Sequence, residues 1–177
     1  MQETTKVRHI VLLGLMGAGK TTVGAALAAR LGWPLRDSDA DIQAATGRSG
    51  RELDEERGTA ELHRLEARHL IDAIEAPQPS VICTAASTIE DPDAAAALAG
   101  PDLLLVWLRA EPATLVSRIP PVDHRRRLSD PAAVLTAQAA SRYPRFAALS
   151  PTIVDVDGVA APEVIETILG RLEAAGR

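Results

Sequence analysis

A glycine-rich segment near the start of the chain carries the strongest chemical signal in the sequence. Residues 14–21 read GLMGAGKT and fit the spacing G-x-x-x-x-G-K-[ST], in which backbone N–H groups surround phosphate oxygens. In this pattern Lys20 reaches the terminal phosphates and the Thr21 hydroxyl can ligate magnesium. A glycine-rich turn without a ligand is the alternative, but the strand-like run before it and the helix-like run after it favour a nucleoside triphosphate site. The predicted nucleotide-binding residues here are Gly14, Gly17, Ala18, Gly19, Lys20, Thr21 and Thr22.

A pair of acids follows the presumed second strand. Asp37 and Asp39 flank Ser38, and in an extended segment this spacing puts both carboxylates on the same side. Beside a magnesium–nucleotide site, one acid would organise the metal shell and the other would accept the proton of an alcohol. A solvated acidic turn or a helix N-cap is the alternative. A calcium-binding loop is excluded, because its required glycine is Ile42 and its closing glutamate is Arg48.

The elements that must position these residues alternate between strand-like and helix-like runs, which predicts an α/β fold, a three-layer sandwich. The run 103–108, LLLVWL, contains no polar alternation, as expected for a parallel strand covered on both faces. Proline in the first turn is typical of helix starts. The predicted strands are 10–13, 34–36, 81–84, 103–108 and 152–156. The predicted helix starts are Pro92, Pro112, Pro131 and Pro162, and a helical insertion over about 41–76 contains the capping box of Ser49 and Glu52.

Composition limits the class of protein. A chain of 177 residues is expected to form a single domain, 1–177, and its formal net charge of −5 provides no positive field for nucleic acid or a membrane surface. The expected partner is therefore a small molecule. The one cysteine, Cys83, lies in an apolar run and is predicted to be a buried, inert thiol. The first six residues lack the apolar segment of a signal peptide, and the longest apolar run is too short to span a bilayer. We expect a cytoplasmic monomer.

Two arginine features are open to a functional and a structural interpretation. The segment 120–130 is bounded by prolines, contains residues 125–127 as three arginines, and separates two helical runs. This position favours a mobile lid that brings a cation to the phosphates and excludes water, whereas a solvated basic loop is the alternative. Arg142 precedes Pro144, so it is either a ligand contact or a helix-end cation that complements the helix dipole.

The order of these features resembles the shikimate kinase family. The loop GLMGAGKTT, the D-x-D pair, the helical insertion, the arginine-rich lid and a late arginine before Tyr143-Pro144 follow one another over nearly the whole chain. The resemblance implies a five-stranded parallel sheet of strand order 2-3-1-4-5. It further implies that ATP, with magnesium, phosphorylates the 3-hydroxyl of shikimate.

The resemblance also implies roles for individual residues. It makes Asp37 the acid on the metal side, together with Thr21, and Asp39 the acid that binds the substrate hydroxyls. Glu66 matches an acid that follows a substrate-binding arginine. The implied positions of the late arginines are Arg118 against adenine, Arg126 over the phosphates and Arg142 on the substrate carboxylate. The predicted catalytic residues are then Lys20, Asp39 and Arg126.

Two departures from the family pattern fall in the acceptor half of the site. The family's Thr-Gly-Gly-Gly after the third strand is Thr84-Ala85-Ala86-Ser87, and each added Cβ narrows the approach of the backbone to substrate. The substrate-binding arginine falls on His63, which cannot make the planar two-pronged grip on a carboxylate. The predicted substrate-binding residues are Asp39, His63, Ala85, Ala86, Ser87 and Arg142. Two alternatives stay open, a sister kinase for another polyol or cyclitol and a nucleotide-binding regulatory protein without transfer activity.

Overall fold

The computed structural model describes residues 7–119 and 130–175. The strands are β1 His9–Leu13, β2 Leu35–Asp37, β3 Ser80–Cys83, β4 Leu103–Arg109 and β5 Thr152–Asp155. The helices are α1 Lys20–Leu31, α2 Ser38–Thr46, α3 Gly50–Arg57, α4 Thr59–Glu75, α5 Pro92–Ala97, α6 Pro112–Ser117, α7 Pro131–Leu149 and α8 Ala161–Ala175, and a 3₁₀ turn spans Thr88–Glu90. In these two ranges no helix has the length and apolarity that crossing a membrane requires.

The five strands form one sheet, and every pairing in it is parallel. The strand order is β2-β3-β1-β4-β5, which confirms both the α/β prediction and the order that the resemblance implied. β1 is central: Leu12 is in register with Cys83 of β3 and with Val106 of β4. All five residues of β1 are buried, because a central parallel strand is covered on both faces.

Helices cover both faces of the sheet. A Cβ on Gly24 of α1 would lie 3.5 Å from Leu12 Cδ1, so α1 packs directly on the face to which Leu12 points. Trp107 follows Val106, the register partner of Leu12, and therefore points to the opposite face. There it packs against two aromatic rings of α7. This arrangement is the predicted three-layer sandwich.

The predicted helix starts are confirmed, and the alternative that Arg142 ends a helix before Pro144 is wrong. Asp91 and Asp130 cap α5 and α7 through their side chains, each directly before a proline in the first turn. α7 does not end before Pro144, since it continues to Leu149 with the proline inside it. Phe146 lies beyond the proline and is fully buried, and we attribute the continuation of the helix to this packing, which offsets the hydrogen bond that proline cannot donate. Arg142 is therefore not a helix-end cation.

The chain between β2 and β3 forms three helices, α2, α3 and α4. Ser49 and Glu52 make the predicted capping box at the start of α3, with both reciprocal hydrogen bonds present. Ile42, Leu53 and Leu62, one from each helix, form a small hydrophobic cluster of their own. The three helices thus support one another and present one side to the cavity described next.

Candidate functional site

A cavity of about 430 Å³ opens at the carboxyl ends of the strands, the edge at which open α/β sheets bind ligands. Its wall comes from the glycine-rich loop, the start of α2, α4, the segment after β3 and residues near α6 and α7. The predicted residues that line it are Gly17, Gly19, Lys20, Thr21, Thr22, Asp37, Asp39, His63, Ala85, Ala86, Ser87, Arg118 and Arg142. Gly14 and Ala18 are buried instead. Arg126 and most of the predicted lid fall in 120–129, outside the described residues.

Glycines allow the phosphate-binding loop to pack tightly against its surroundings. Gly17 has a φ of 84°, and a Cβ there would lie 2.6 Å from the carbonyl oxygen of Leu115. A Cβ on Gly14 would lie 2.8 Å from the carbonyl oxygen of Leu108. Other residue types would therefore push the loop away from α6 and β4. Lys20 Nζ donates a hydrogen bond to the carbonyl oxygen of Gly14 at 2.8 Å, so the ammonium group lies across the loop.

The N-terminus of α1 faces this loop. Gly19 is the N-cap residue, and no side chain in the described ranges caps the helix. The positive end of the α1 dipole therefore faces the loop, where it favours an anion. This geometry suits the phosphate groups of a nucleotide.

Asp37 joins the first turn of α1 to helix α2. Thr21 Oγ1 donates a hydrogen bond to Asp37 Oδ2 at 2.8 Å, and Asp37 Oδ1 accepts one from the backbone N–H of Asp39 at 3.1 Å. The prediction that 37–39 is extended holds for Asp37, the last residue of β2 and the N-cap of α2, but it is wrong for Ser38 and Asp39, which lie in the first turn of α2. The N-cap interpretation of Asp37 is correct, yet both acids still line the cavity.

A polar network connects α2 to two neighbouring elements. Asp41 Oδ2 accepts a hydrogen bond from Arg36 Nε at 2.7 Å and lies 2.8 Å from His69 Nε2. Burial by itself would raise the pKa of Asp41, but the hydrogen bonds from Arg36 and His69 lower that pKa below its usual value. The carboxylate of Asp41 therefore ties α2 to β2 and to α4.

Glu66 contributes a nearly buried carboxyl group to the cavity wall. Burial raises the pKa of Glu66 to about 7, and the charge of Asp39 adds to the increase. A hydrogen bond from Ser87 and the positive charges of Arg142 and Lys20 oppose it. Ser87 Oγ donates this bond to Glu66 Oε2. The pKa of Glu66 therefore lies closer to neutral pH than the pKa of an exposed glutamate does.

The segment after β3 has ordinary backbone geometry although it contains no glycine. No non-glycine residue in the described ranges has a positive φ, and Ser87 has a φ of −72° and a ψ of −24°. Thr88 Oγ1 donates a hydrogen bond to the carbonyl oxygen of Ala85 at 2.8 Å and closes a tight turn. Ala85 and Ala86 are half-buried, and their side chains form part of the cavity wall.

Arg142 reaches the cavity from the middle of α7 and is 9% exposed. Its Nε donates a hydrogen bond to Glu90 Oε1 at 2.8 Å. This hydrogen bond is the main reason that the pKa of Glu90 lies below its usual value, and the charges of Arg142, His63 and Arg145 add to the effect. Arg142 and His63 both line the wall, and because the charges of both act on Glu90, the two predicted carboxylate-binding residues lie near the same carboxylate.

Arg118 also lines the cavity. It directly follows α6, and its Nη2 donates a hydrogen bond to the carbonyl oxygen of Val156 at 2.7 Å. The bond holds the guanidinium group beside the segment that follows β5. A flat cation held in this way can stack on a planar ring.

Two residues near Arg142, one in the cavity wall and one behind it, were not predicted from the sequence. Gln138 also lines the cavity, and it lies four positions before Arg142 on the same helix. The i,i+4 spacing puts the two side chains on one face, so this signal was present in the sequence. Glu90 is separated from Arg142 by 52 positions, and no local pattern links the two.

Comparison with known proteins agrees with this geometry. The family model for shikimate kinase matches residues 16–173. A shikimate kinase of Caulobacter vibrioides is 35% identical over 173 residues, which cover 96% of this chain and 86% of that protein. The match to the family model extends from the phosphate-binding loop into α8.

Two solved structures show the same architecture. A shikimate kinase of Bacteroides thetaiotaomicron has a TM-score of 0.78 at 27% identity, over 94% of this chain and 96% of that one. A shikimate kinase of Acinetobacter baumannii in complex with shikimate has a TM-score of 0.88 at 24% identity, over 96% and 95% of the two chains. At 24% identity, the likeness to the Acinetobacter baumannii structure shows the fold alone.

Proposed function

The chain belongs to the shikimate kinase family, and on this premise we propose that it transfers the γ-phosphoryl group of ATP to the 3-hydroxyl of shikimate. One observation carries the proposal: a single cavity is lined by Lys20 and Thr21 of the phosphate-binding loop and also by Asp39 and Arg142. Direct transfer between two substrates requires that both be held in one space with their reacting atoms in contact.

The proposed reaction is a displacement at the γ-phosphorus. The 3-hydroxyl oxygen forms a bond to this phosphorus while the bond to the β,γ-bridging oxygen breaks, so ADP leaves and the hydroxyl proton passes to Asp39. Lys20 and the loop N–H groups stabilise the negative charge of the group in transit. We assign Arg126, which lies outside the described residues, to the same role from the lid.

We place magnesium on the side of Thr21 and Asp37. Their hydroxyl and carboxylate oxygens are 2.8 Å apart, and such a pair suits a cation that keeps several waters and takes few protein ligands. When bound there, magnesium neutralises charge on the β- and γ-phosphates. The two residues orient each other, because the hydroxyl of Thr21 donates to the carboxylate that caps α2.

The acceptor half is proposed to bind a carboxylate and several hydroxyl groups. Arg142 pairs with the carboxylate, His63 assists with one ring nitrogen, and Asp39 binds ring hydroxyls. The side chains of Ala85 and Ala86 narrow this half, since each adds a Cβ to the wall.

The remaining assignments concern the organisation of the chain. We propose that it acts as a single domain and a cytoplasmic monomer, that the helices of the 41–76 insertion bind the acceptor, and that 120–130 is a lid over the nucleotide. Hydrogen exchange should slow in 120–130 only when nucleotide and acceptor are both bound. Sedimentation at micromolar concentration should give the mass of one chain.

A sister kinase for a neutral polyol or cyclitol is the second candidate. His63 favours this candidate, because an imidazole ring, which cannot make a two-pronged contact with a carboxylate, replaces the arginine that the family pattern places there. A regulatory protein without transfer activity fits less well, since Asp39 and Arg142 line the same cavity as the nucleotide residues and a pure nucleotide switch has no use for them.

An assay of ADP release over several acceptors separates these candidates. Shikimate, quinate, gluconate and a neutral cyclitol are compared at equal concentrations with saturating ATP and magnesium. The proposal requires that shikimate give the highest kcat/KM. Efficient turnover of the neutral cyclitol alone would support the sister kinase, and tight ATP binding without turnover of any acceptor would support the regulatory protein.

A further inference from the structure

We propose that Glu90 is a positioning residue, which holds the guanidinium group of Arg142 ready for the carboxylate of the acceptor. The inference rests on the proposed function in that it takes the acceptor to carry a carboxylate. Its geometric basis is the hydrogen bond from Arg142 Nε to Glu90 Oε1 at 2.8 Å. Among the described residues, the cavity wall includes Arg142 and does not include Glu90. Glu90 thus acts from behind the arginine and does not touch the substrate.

The choice of nitrogen distinguishes positioning from competition. A guanidinium group binds a carboxylate most strongly through a two-pronged contact, often with both terminal nitrogens. Glu90 is bonded through Nε, and within residues 7–119 and 130–175 Nη1 and Nη2 of Arg142 make no hydrogen bond, so the edge formed by these two nitrogens can take a second anion. A carboxylate that competed with substrate would be expected on that terminal edge.

The anchor itself is well fixed. Glu90 closes the 3₁₀ turn Thr88–Glu90, and its backbone N–H donates to the carbonyl oxygen of Ser87 at 2.9 Å. The same turn follows Ala85 and Ala86 in the cavity wall. Through its hydrogen bond to Arg142, Glu90 therefore connects α7 to the wall segment after β3, although the two residues are 52 positions apart in the sequence.

Holding Arg142 lowers the cost of binding the acceptor. An arginine side chain has several rotatable bonds, and ordering such a side chain on binding costs about 0.5 to 1.5 kcal/mol. If Glu90 orders it beforehand, the acceptor does not meet this cost. The negative charge of Glu90 opposes this gain in affinity, because it partly cancels the positive charge of Arg142. Removing only the charge of Glu90 should therefore strengthen acceptor binding, whereas removing its hydrogen bond to Arg142 should weaken it.

Two substitutions separate these effects. Glu90→Gln keeps an acceptor oxygen for Arg142 Nε and removes the charge, whereas Glu90→Ala removes both. We expect Glu90→Ala to raise the KM for shikimate about threefold to tenfold with kcat and the KM for ATP within about twofold of wild type. Glu90→Gln should keep the wild-type KM for shikimate or lower it. The control is Glu166→Ala. This substitution on α8 removes an exposed ion-pair partner of Arg30 and should change none of these values.

A relaxation measurement tests positioning without any reaction. The heteronuclear NOE of the Arg142 ¹⁵Nε, assigned with an Arg142→Lys variant, should be high in wild type and Glu90→Gln and low in Glu90→Ala. If wild type does not phosphorylate shikimate, the proposed function fails, and this measurement still decides the role of Glu90. A rigid Arg142 in Glu90→Ala, or a lower KM for shikimate in both Glu90 variants, would overturn the proposal.

Discussion

Thr21 Oγ1 lies 2.8 Å from Asp37 Oδ2, so the first turn of α1 is hydrogen-bonded to the N-cap of α2. Asp37 Oδ1 in turn accepts a hydrogen bond from the N–H of Asp39 at 3.1 Å. One carboxylate thus connects Thr21 of the phosphate-binding loop to the first turn of α2, where Asp39 lies. Only Ser38 separates the two aspartates, but Asp37 is bonded to the threonine, whereas we assign Asp39 to the acceptor.

This relationship predicts that the two acids have separable roles. Asp37→Asn keeps a good helix N-cap and removes the charge beside Thr21, so the magnesium concentration for half-maximal activity should rise about tenfold. Asp39→Asn removes the proton acceptor, and kcat should fall about 10²- to 10⁴-fold with little change in ATP affinity. Steady-state kinetics at varied magnesium and ATP measure both quantities. Identical changes in the two variants would show that the roles are not divided in this way.

Glu66 makes stability depend on pH in a predictable direction. Its pKa is raised from 4.5 to about 7 in the folded protein, chiefly by burial. Between about pH 4.5 and 7 the unfolded chain releases the Glu66 proton, whereas the folded chain keeps it. The stability that the protonated carboxyl group contributes is therefore fully present below about pH 4.5 and is lost as pH rises to about 7. In urea unfolding, the stability of wild type relative to Glu66→Gln should fall by at most about 3 kcal/mol over this window.

The control for this measurement is the exposed residue Glu173 of α8. The stability difference between wild type and Glu173→Gln should not follow the same course with pH. A wild-type to Glu66→Gln difference that is constant from pH 4.5 to 7 would contradict the buried, neutral carboxyl group.

The acceptor carboxylate is expected to bind more tightly when a second arginine is restored. His63→Arg adds a planar cation beside Arg142, and a charge-assisted hydrogen bond contributes about 1.5 to 3 kcal/mol. The KM for shikimate should fall roughly tenfold to a hundredfold, and the KM for ATP should not change. His63→Gln, at the same site without a charge, should give no such decrease. An unchanged KM for shikimate in His63→Arg would place the acceptor carboxylate elsewhere.

Features built from neighbouring residues could be predicted from the sequence. The phosphate-binding loop was identified because its glycines, lysine and threonine act together within eight residues. The capping box of Ser49 and Glu52 and the proline-marked helix starts depend on the same kind of local spacing. Asp37 and Asp39 both line the cavity, but the extended geometry predicted for them is wrong at Asp39, because a D-x-D pair suits an extended segment and a helix N-cap equally well.

Features that depend on long-range packing could not be predicted. α7 passes through Pro144 because Phe146 is buried against the sheet, which no rule of local spacing includes. The contact between Glu90 and Arg142 exists only after the segment following β3 and the middle of α7 are brought together by the fold. The hydrogen bond between Ser87 and Glu66 has the same origin, since it joins residues from two elements.

Gly24 is expected to be required by close packing of α1 on β3. A Cβ at this position would lie 2.3 Å from Cys83 Sγ, so Gly24→Ala should lower the free energy of unfolding by about 1 to 3 kcal/mol. Adding Cys83→Ala removes the sulfur and should restore much of the loss. Gly170→Ala on α8 meets nothing within 4 Å and should instead raise stability by up to about 1 kcal/mol. A Gly24→Ala protein as stable as wild type in urea would refute this packing.

The identity and position of the phosphorylated product test the central proposal most directly. Wild-type protein is incubated with ATP, magnesium and shikimate, and the product is examined by ³¹P and ¹³C NMR while ADP is quantified. We expect one molecule of phosphorylated shikimate per ADP, with the phosphorus on the 3-hydroxyl. The rate should be lower by orders of magnitude in a folded Lys20→Ala variant. Absence of phosphorylated shikimate in the wild-type reaction, or an undiminished rate in Lys20→Ala, would contradict the proposal.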